Sequence, residues 1–185
     1  MRVIAGSAKG IKLAGVPGKS TRPITDRVKE ALFNILGPEV IQREFLDLFG
    51  GTGAVGIEAL SRGANHAVFL DINYRAYQVI KQNLKATRLE KYATVLKKDA
   101  FAFLREDPRH LFDFIYIAPP QYQDLWHRAM LELDLNPGWL DPQGMIIVQI
   151  HPKEFHTSDT YANFTMFDRR EYGDTTLLFY QHILS

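Results

Sequence analysis

The sequence predicts an α/β fold in which helices cover both faces of a mostly parallel β-sheet. Between residues 44 and 150, five apolar strand-like segments alternate with four helix-like segments, a spacing typical of βαβ units. A glycine-rich segment at 50–56 lies between the first of these strands and its helix. After residue 160 the alternation stops, and two strand-like segments flank a turn at Tyr172-Gly173-Asp174, which predicts an antiparallel end to the sheet.

The individual elements follow from periodicity and from the residues that begin and end helices. Two short strands with glycine turns between them predict a small N-terminal hairpin arm, residues 1–24, ahead of the main domain, residues 25–185. Thr25 is a suitable N-cap for the first helix, and Gly37-Pro38 ends it. We expect arm strands at 2–5 and 11–14, sheet strands at 44–49, 66–71, 92–97, 112–117, 144–150, 161–169 and 175–183, and further helices at 54–62, 74–87, 101–105 and 124–135.

Composition sets limits on the class of protein. The chain has 185 residues, 46% of them hydrophobic, which suits one compact domain with a substantial core. It has no Cys, which excludes disulfide scaffolds, thiol catalysis and Cys-ligated zinc. No apolar run is long enough for a membrane span, and the first ten residues lack the apolar segment of a secretory signal. We therefore expect a cytoplasmic protein, and the histidine spacing predicts no metal site.

The charge is distributed unevenly along the chain. The whole sequence is nearly neutral, with 22 Lys and Arg against 21 Asp and Glu. Residues 1–30 hold seven basic and two acidic residues, whereas the remainder holds 15 basic and 19 acidic residues. A basic arm on a mildly acidic body indicates either a polyanionic partner met at one end or an ordinary solvated surface.

The strongest motif lies at the end of the first sheet strand. Asp47-Leu48-Phe49 leads into Gly51-x-Gly53-x-x-Gly56, a spacing that permits a tight turn and close approach of a ligand to the backbone. Asp71 ends the next strand, where a carboxylate can accept the hydroxyls of a ribose, and Asp99 ends the third, near the position of an adenine amino group. The ligand is therefore a dinucleotide or S-adenosylmethionine. Asp47 ahead of the glycines favours the second, because its carboxylate can meet the cationic methionine end.

The motif with Asp71 and Asp99 resembles that of class I S-adenosylmethionine-dependent methyltransferases, which have a Rossmann-like fold. The match extends to a specific family. MRVIAG at 1–6, RPITDRVKEALFNIL at 22–36, EALSRGA at 58–64 and YGDT at 172–175 resemble the RsmD family, and this likeness covers nearly the whole chain. It implies a seven-stranded sheet whose last strand is antiparallel, and methylation of the exocyclic N2 of one guanine in 16S ribosomal RNA.

The motif, the basic arm and the resemblance together predict which residues bind each partner. The cofactor, S-adenosyl-L-methionine, is expected to contact Arg22, Thr25, Asp47, Phe49, Gly50, Gly51, Thr52, Gly53, Asp71, Ile72, Asp99 and Ala100. The RNA partner is 16S rRNA or the small ribosomal subunit, and the residues expected to hold its phosphates are Lys9, Lys12, Arg22, Arg27 and Lys29. Oligomeric state is left open, with a monomer favoured.

The expected catalytic loop departs from the family pattern. The family has Asp or Asn, two prolines and an aromatic residue; this chain has Ala118-Pro119-Pro120-Gln121. Acceptors in such a loop orient a weakly nucleophilic amine, and an aromatic ring stacks on the target base. The carbonyl of Pro119 remains as an acceptor, Gln121 can accept one N–H, and the adjacent Tyr122 can supply the ring. Asp124 can substitute as an acceptor or cap the next helix.

Three functions remain open from the sequence alone. The first is an active RNA guanine-N2-methyltransferase with an altered amine-binding loop. The second is a module that binds the cofactor and RNA but has lost most of its catalysis. The third is an NAD-dependent oxidoreductase that uses the glycine loop for a dinucleotide. The third function leaves Asp47 and the Pro119-Pro120 loop without a role.

Overall fold

The computed structural model describes residues 1–18, 23–157 and 160–183. Seven strands form one sheet: β1 (Glu44–Asp47), β2 (His66–Leu70), β3 (Ala93–Leu96), β4 (Phe112–Ile117), β5 (Leu140–Ile150), β6 (Phe164–Tyr172) and β7 (Thr175–His182). Their spatial order is β3-β2-β1-β4-β5-β7-β6. The first five strands pair in parallel, and β7 is antiparallel to both β5 and β6. The predicted α/β class and the antiparallel last strand are confirmed.

Five helices cover the sheet: α1 (Asp26–Leu36), α2 (Ala54–Ser61), α3 (Tyr74–Thr87), α4 (Ala100–Leu104) and α5 (Leu125–Leu135). One core contains apolar side chains of the arm and of α1, α2 and α3, and the core on the opposite face contains those of α4 and α5. Side chains alternate across each strand, so Phe45 packs into the first core and Leu46 into the second. The strand order reverses between β1 and β4, and this is where open α/β sheets bind ligands.

Of the two residues that the sequence offers as helix caps, Thr25 and Asp124, only the first fills this role. Thr25 caps α1, because its hydroxyl accepts from the N–H of Val28 at 3.2 Å. Helix α5 begins at Leu125, one residue later than predicted, and Asp124 before it has a φ of 54° and no capping hydrogen bond from its side chain. Strand β5 begins at Leu140 rather than at 144, and β6 spans Phe164–Tyr172 rather than 161–169.

The N-terminal arm is anchored on the first core rather than forming a regular hairpin. A single antiparallel bridge joins Arg2 and Lys12, where the sequence predicts two short strands. Val3, Ala8 and Leu13 are buried in the core that α1 and α2 share. The boundary between arm and main domain at residue 24 stays a prediction.

Candidate active site

The glycine loop connects β1 to α2 at the carboxyl edge of the sheet. Gly53 occupies the N-cap position of α2 with a φ of 78°, a left-handed conformation that favours glycine. A Cβ at Gly56 would lie 2.3 Å from the Phe69 ring, so this glycine permits close packing of α2 on β2. Gly53 therefore shapes the turn, and Gly56 brings helix and strand together.

Hydrogen bonds from three directions fix the loop. The Gly50 N–H donates to the carbonyl oxygen of Leu70 at 2.7 Å. The Gly51 N–H donates to Oδ2 of Asp71 at 2.9 Å. The Asn83 side chain on α3 donates to the carbonyl oxygen of Thr52 at 2.8 Å. The ligand-facing backbone is therefore held in place before any ligand arrives.

Two adjacent pockets open at this edge, and they share Phe49, Gly51, Pro120 and Gln123 in their walls. The first pocket lies between the loop and the end of β4; its wall also contains Pro23, Ile24, Asp47, Gly50, Thr52, Ala54, Val55, Tyr116, Ala118, Pro119, Gln121 and Gln149. The second lies beside the ends of β2 and β3; its wall also contains Val16, Leu48, Asp71, Ile72, Asn73, Ala76, Lys98, Asp99, Ala100, Phe101 and Leu125. Because they share these four residues, the two pockets lie side by side, and we refer to them together as the cleft.

Asp47 is a buried acid in the cleft with an incomplete set of hydrogen bonds. Its carboxylate is buried, and Oδ1 has no hydrogen-bond partner among the described residues. Burial, and to a lesser degree the nearby charge of Asp71, raises the pKa of Asp47 to about 7, against hydrogen bonds from the backbone of Gly56 and Phe49. A buried acceptor of this kind at the wall of a pocket fits a cationic ligand group.

Asp71 and Asp99 stand in the second pocket with acceptor capacity left. Each Asp71 oxygen accepts one backbone N–H, from Gly51 at 2.9 Å and from Asn73 at 2.8 Å. Burial raises the pKa of Asp71 above its usual value. Asp99 caps α4 through Oδ1, which accepts from the N–H of Ala102 at 2.8 Å. A carboxylate oxygen has two lone pairs, so both residues can still accept from hydroxyl or amino groups of a ligand.

The corner after β4 holds two polar side chains that the sequence analysis missed. Tyr116 on β4, Ala118 just after the end of β4 and Gln149 on β5 line the same pocket. The Tyr116 hydroxyl donates to Oε1 of Gln149, and burial raises the pKa of this phenol well above its ordinary value, so it remains a donor. A polar Gln149 within the apolar run from Ile146 to Ile150 is the signal in the sequence that could have indicated this pair.

The other predicted catalytic residues divide between two locations. Pro119, Pro120 and Gln121 line the first pocket with Ala118. Tyr122 does not: its φ is 60°, its N–H donates to Glu154, and its exposed ring lies 5.5 Å from the His151 ring outside the cleft. Stacking of Tyr122 on a base therefore stays a prediction that requires the loop to move.

The remaining predicted cofactor residues are distributed along the cleft. Phe49, Gly50, Gly51 and Thr52 line the first pocket, and Ile72 and Ala100 line the second. Gly53 is buried at the start of α2, and Thr25 uses its hydroxyl to cap α1. Arg22 lies outside the described residues, so its predicted contacts stay predictions.

The predicted RNA-binding residues are mostly exposed, with one clear exception. Lys9, Lys12 and Arg27 have exposed side chains. Lys29 is completely buried, and its ammonium donates to the carbonyl oxygen of Arg2 at 2.6 Å and pairs with Glu58 at 3.2 Å. The prediction that Lys29 contacts RNA phosphates is therefore wrong. Its buried charge instead joins the arm to α2.

Two absences concern the described part of the chain. Residues 1–18, 23–157 and 160–183 contain no cluster of three or more His, Cys, Asp or Glu side chains arranged to hold a metal ion. Among the same residues, no helix has the length and apolar character to cross a membrane.

Known proteins resemble this chain over nearly its full length. The family model described as Conserved hypothetical protein 95 matches residues 1–181. A Bacillus subtilis protein, YlbH, named as a candidate rRNA methyltransferase, is 40% identical over 183 residues, which cover 98% of each chain. The ribosomal RNA small subunit methyltransferase D of Haemophilus influenzae is 33% identical over 184 residues, covering 98% of this chain and 94% of its own. A solved Escherichia coli structure, yhhF, named as a candidate methyltransferase, superposes with a TM-score of 0.84 at 32% identity, covering 98% and 97% of the two chains.

Proposed function

Because the chain belongs to the RsmD family of small-subunit rRNA methyltransferases, we propose that it transfers a methyl group from S-adenosylmethionine to the exocyclic N2 of a guanine in 16S rRNA. One observation carries the proposal within the cleft. Asp47 is buried, and its Oδ1 lacks a hydrogen-bond partner among the described residues, at the wall of a pocket that also contains the Pro119-Pro120 corner. A cationic donor and a nitrogen acceptor can thus meet in one place.

The residues of the cleft fit S-adenosylmethionine. The Asp47 carboxylate is placed to receive the positive methionine end, next to the backbone of Gly50 and Gly51. In the neighbouring pocket, Asp71 can accept from the ribose hydroxyls and Asp99 from the adenine amino group. When bound, the cofactor supplies a methyl group on a positively charged sulfur, which leaves as a neutral thioether. This chemistry requires no metal ion.

The protein has to orient the amine, whose lone pair is delocalised into the guanine ring. Ala118 offers no side-chain acceptor, but the carbonyl oxygen of Pro119 remains. The Gln149 amide oxygen, held by the Tyr116 hydroxyl, can accept a second N–H from the target amine. Ala118 leaves free the space beside Gln149 on the same side of the sheet. Gln149 therefore takes the orienting role that the family assigns to the first residue of the loop.

The arm supplies cations for the RNA backbone. Lys9, Lys12 and Arg27 are exposed, and the structure describes no ion pair for any of them. Contacts between these side chains and phosphates would release counterions, so binding of 16S rRNA is expected to weaken as the salt concentration rises. The small ribosomal subunit presents the same backbone and is the second substrate to compare.

The test is methyl transfer from labelled S-adenosylmethionine to 16S rRNA, free and in small subunits, both isolated from cells that lack this gene. We expect one guanine to gain one methyl group, located by mass spectrometry of nuclease fragments. Asp71→Asn should weaken cofactor binding at least tenfold and lower the rate accordingly, because it removes the charge facing the ribose. If wild-type protein binds the cofactor and RNA but no guanine is methylated, the chain is a binding module and the proposed reaction is wrong.

A further inference from the structure

The outer surface of α3 carries an uninterrupted row of aromatic and basic side chains. Positions 74, 77, 81, 85 and 88 follow one line along a helix, and they lie opposite the buried positions of α3. Lys97, just after β3, lies at the start of this row. We define these six residues as the α3 stripe: Tyr74, Tyr77, Lys81, Lys85, Arg88 and Lys97.

Contacts along the stripe place two stacked rings between two cations. The Lys97 ammonium lies 5.6 Å from the centre of the Tyr74 ring. The Tyr74 and Tyr77 rings stack with their centres 6.2 Å apart. The Lys81 ammonium lies 5.3 Å from the centre of the Tyr77 ring. The Tyr74 side chain is nevertheless 58% exposed, so much of it is accessible to another planar group.

The cations of the stripe are not neutralised by the protein. Helix α3 contains no acidic residue, and no described residue forms an ion pair with Lys81, Lys85, Arg88 or Lys97. Elsewhere in the described part of the chain, surface cations such as Arg43, Arg105 and Arg170 are paired with carboxylates. The stripe therefore presents concentrated positive charge.

Helix stability alone does not account for this arrangement. Lys85 lies in the last turn, where a cation favours the helix dipole. Lys81 lies one turn earlier, and like charges spaced four residues apart destabilise a helix by a few tenths of a kcal/mol. Residues that reduce the local stability of a helix without a compensating contact tend to mark a functional surface.

We infer that the α3 stripe binds a single-stranded or loop segment of the RNA substrate, next to the cofactor cleft. This inference rests on the proposed function, because it takes rRNA as the substrate. The exposed Tyr74 ring and the half-buried Tyr77 ring lie between unpaired cations. This arrangement matches an RNA strand, which offers bases for stacking and phosphates for the ammonium groups. The stripe begins directly after Ile72 and Asn73, which line the cleft beside Asp71. An acidic protein segment would satisfy the cations but would leave the rings without a purpose.

The experiment compares two triple variants that lose the same charge. The stripe variant is Lys81→Gln, Lys85→Gln and Lys97→Gln; the control is Lys153→Gln, Arg169→Gln and Arg170→Gln, all of which are exposed side chains away from α3. We expect the stripe variant to bind transcribed 16S rRNA at least tenfold more weakly at low salt. The slope of log affinity against log salt should fall by about two units, because each lost phosphate contact accounts for roughly 0.7–0.9. The control should match wild type in both its RNA affinity and its salt slope.

A second variant separates stacking from charge. Tyr74→Ala with Tyr77→Ala should weaken RNA binding about tenfold without changing the salt slope, and the affinity for S-adenosylmethionine should stay unchanged in all variants. Equal RNA binding by the stripe variant and the control would overturn the inference, as would a stripe that binds polyglutamate but contributes nothing to RNA binding. If wild type binds RNA through the stripe yet methylates nothing, the proposed reaction fails and the surface assignment stands.

Discussion

Asp47 gives the cleft a sensitivity to pH in the neutral range. Its pKa of about 7 in the free protein means that half of the molecules carry a neutral carboxyl group near pH 7. A bound cation favours the charged form, so cofactor and proton compete for this site. The folded state holds the Asp47 proton more tightly than the unfolded chain, so stability from this group is lost as pH rises from about 4 to 7.

We expect the Kd for S-adenosylmethionine to rise about tenfold from pH 8 to pH 6, because only the ionised fraction of Asp47 is competent to bind. Asp47→Asn should bind more weakly at pH 8 and lose this pH dependence, while the thermal stability of the ligand-free variant should exceed that of wild type at pH 8. Calorimetric titration and thermal unfolding measure both effects. S-adenosylhomocysteine and methylthioadenosine are the matched ligands: a pH dependence shared by the second, which lacks the amino acid part, would contradict the assignment of Asp47 to the methionine end.

Positions 149 and 118 can be tested as alternative places for the side-chain acceptor that orients the target amine. Gln149→Met keeps the side-chain volume and removes the acceptor, so we expect kcat to fall roughly 10²-fold, with the affinity for S-adenosylmethionine within a factor of two. Tyr116→Phe should have a smaller effect, because it frees the Gln149 amide without removing it. Steady-state kinetics on 16S rRNA measure kcat for each variant.

Rescue distinguishes orientation of the amine from a structural effect. Adding Ala118→Asn to Gln149→Met places a carboxamide on the same face of the sheet from the neighbouring strand, and it should recover at least tenfold in kcat. Full activity of Gln149→Met alone would show that the Pro119 carbonyl or Gln121 is sufficient. If Gln149→Met lowers kcat and the double variant recovers none of the loss, this result would also count against Gln149 as the acceptor.

At the scale of elements, one buried carboxylate joins the arm to two helices. Glu58 on α2 accepts from the backbone N–H groups of Ile4 at 2.9 Å and Ala5 at 3.0 Å. It also pairs with Lys29 at 3.2 Å and with Arg62 at 2.8 Å. Burial lowers the pKa of Lys29, although Glu58 opposes this shift. Four donors converge on one carboxylate, so Glu58 is a central anchor of the arm, beside the buried side chains of Val3, Ala8 and Leu13.

Glu58→Gln should destabilise the protein by about 3–5 kcal/mol, because it leaves the Lys29 ammonium buried without its counter-charge. Lys29→Met, which retains the stem and removes the charge, should cost less, since Glu58 keeps Arg62 and the two amides. Urea unfolding measures both. Lys29→Met should also leave the salt slope of RNA binding unchanged, whereas Arg27→Gln should reduce it; the reverse result would contradict the structural role of Lys29.

The elements were predictable to the extent that local chemistry determines them. The glycine loop, the Thr25 cap and the alternation of strands and helices are encoded within a few residues, and each of these predictions is confirmed. Whether Lys29 is buried depends on its partner Glu58, which lies 29 positions away in the sequence. The one local signal is that Lys29 shares a helix face with the buried Phe33 and Leu36. The Tyr116–Gln149 pair depends on the register of β4 against β5, which sequence periodicity does not specify.

At the scale of the whole molecule, the structure changes where the exposed positive charge is located. The sequence assigns the basic excess to residues 1–30, but one of those cations is buried and Arg22 lies outside the described residues. The α3 stripe adds an exposed basic surface from a region that is acidic on average. The net charge of residues 31–185 does not reveal the α3 stripe, because the acidic residues of this segment lie on other elements. Many of them neutralise nearby cations there.

The two outer strands of the sheet have a further consequence. β3 has only four residues, and β6 is interrupted by an irregularity between Met166 and Asp168 and carries the charged pairs Arg170–Asp168 and Arg169–Glu171. Short, kinked or charged borders resist the addition of foreign strands. Both borders of the sheet therefore offer little regular, unpaired backbone to which another chain could add a strand.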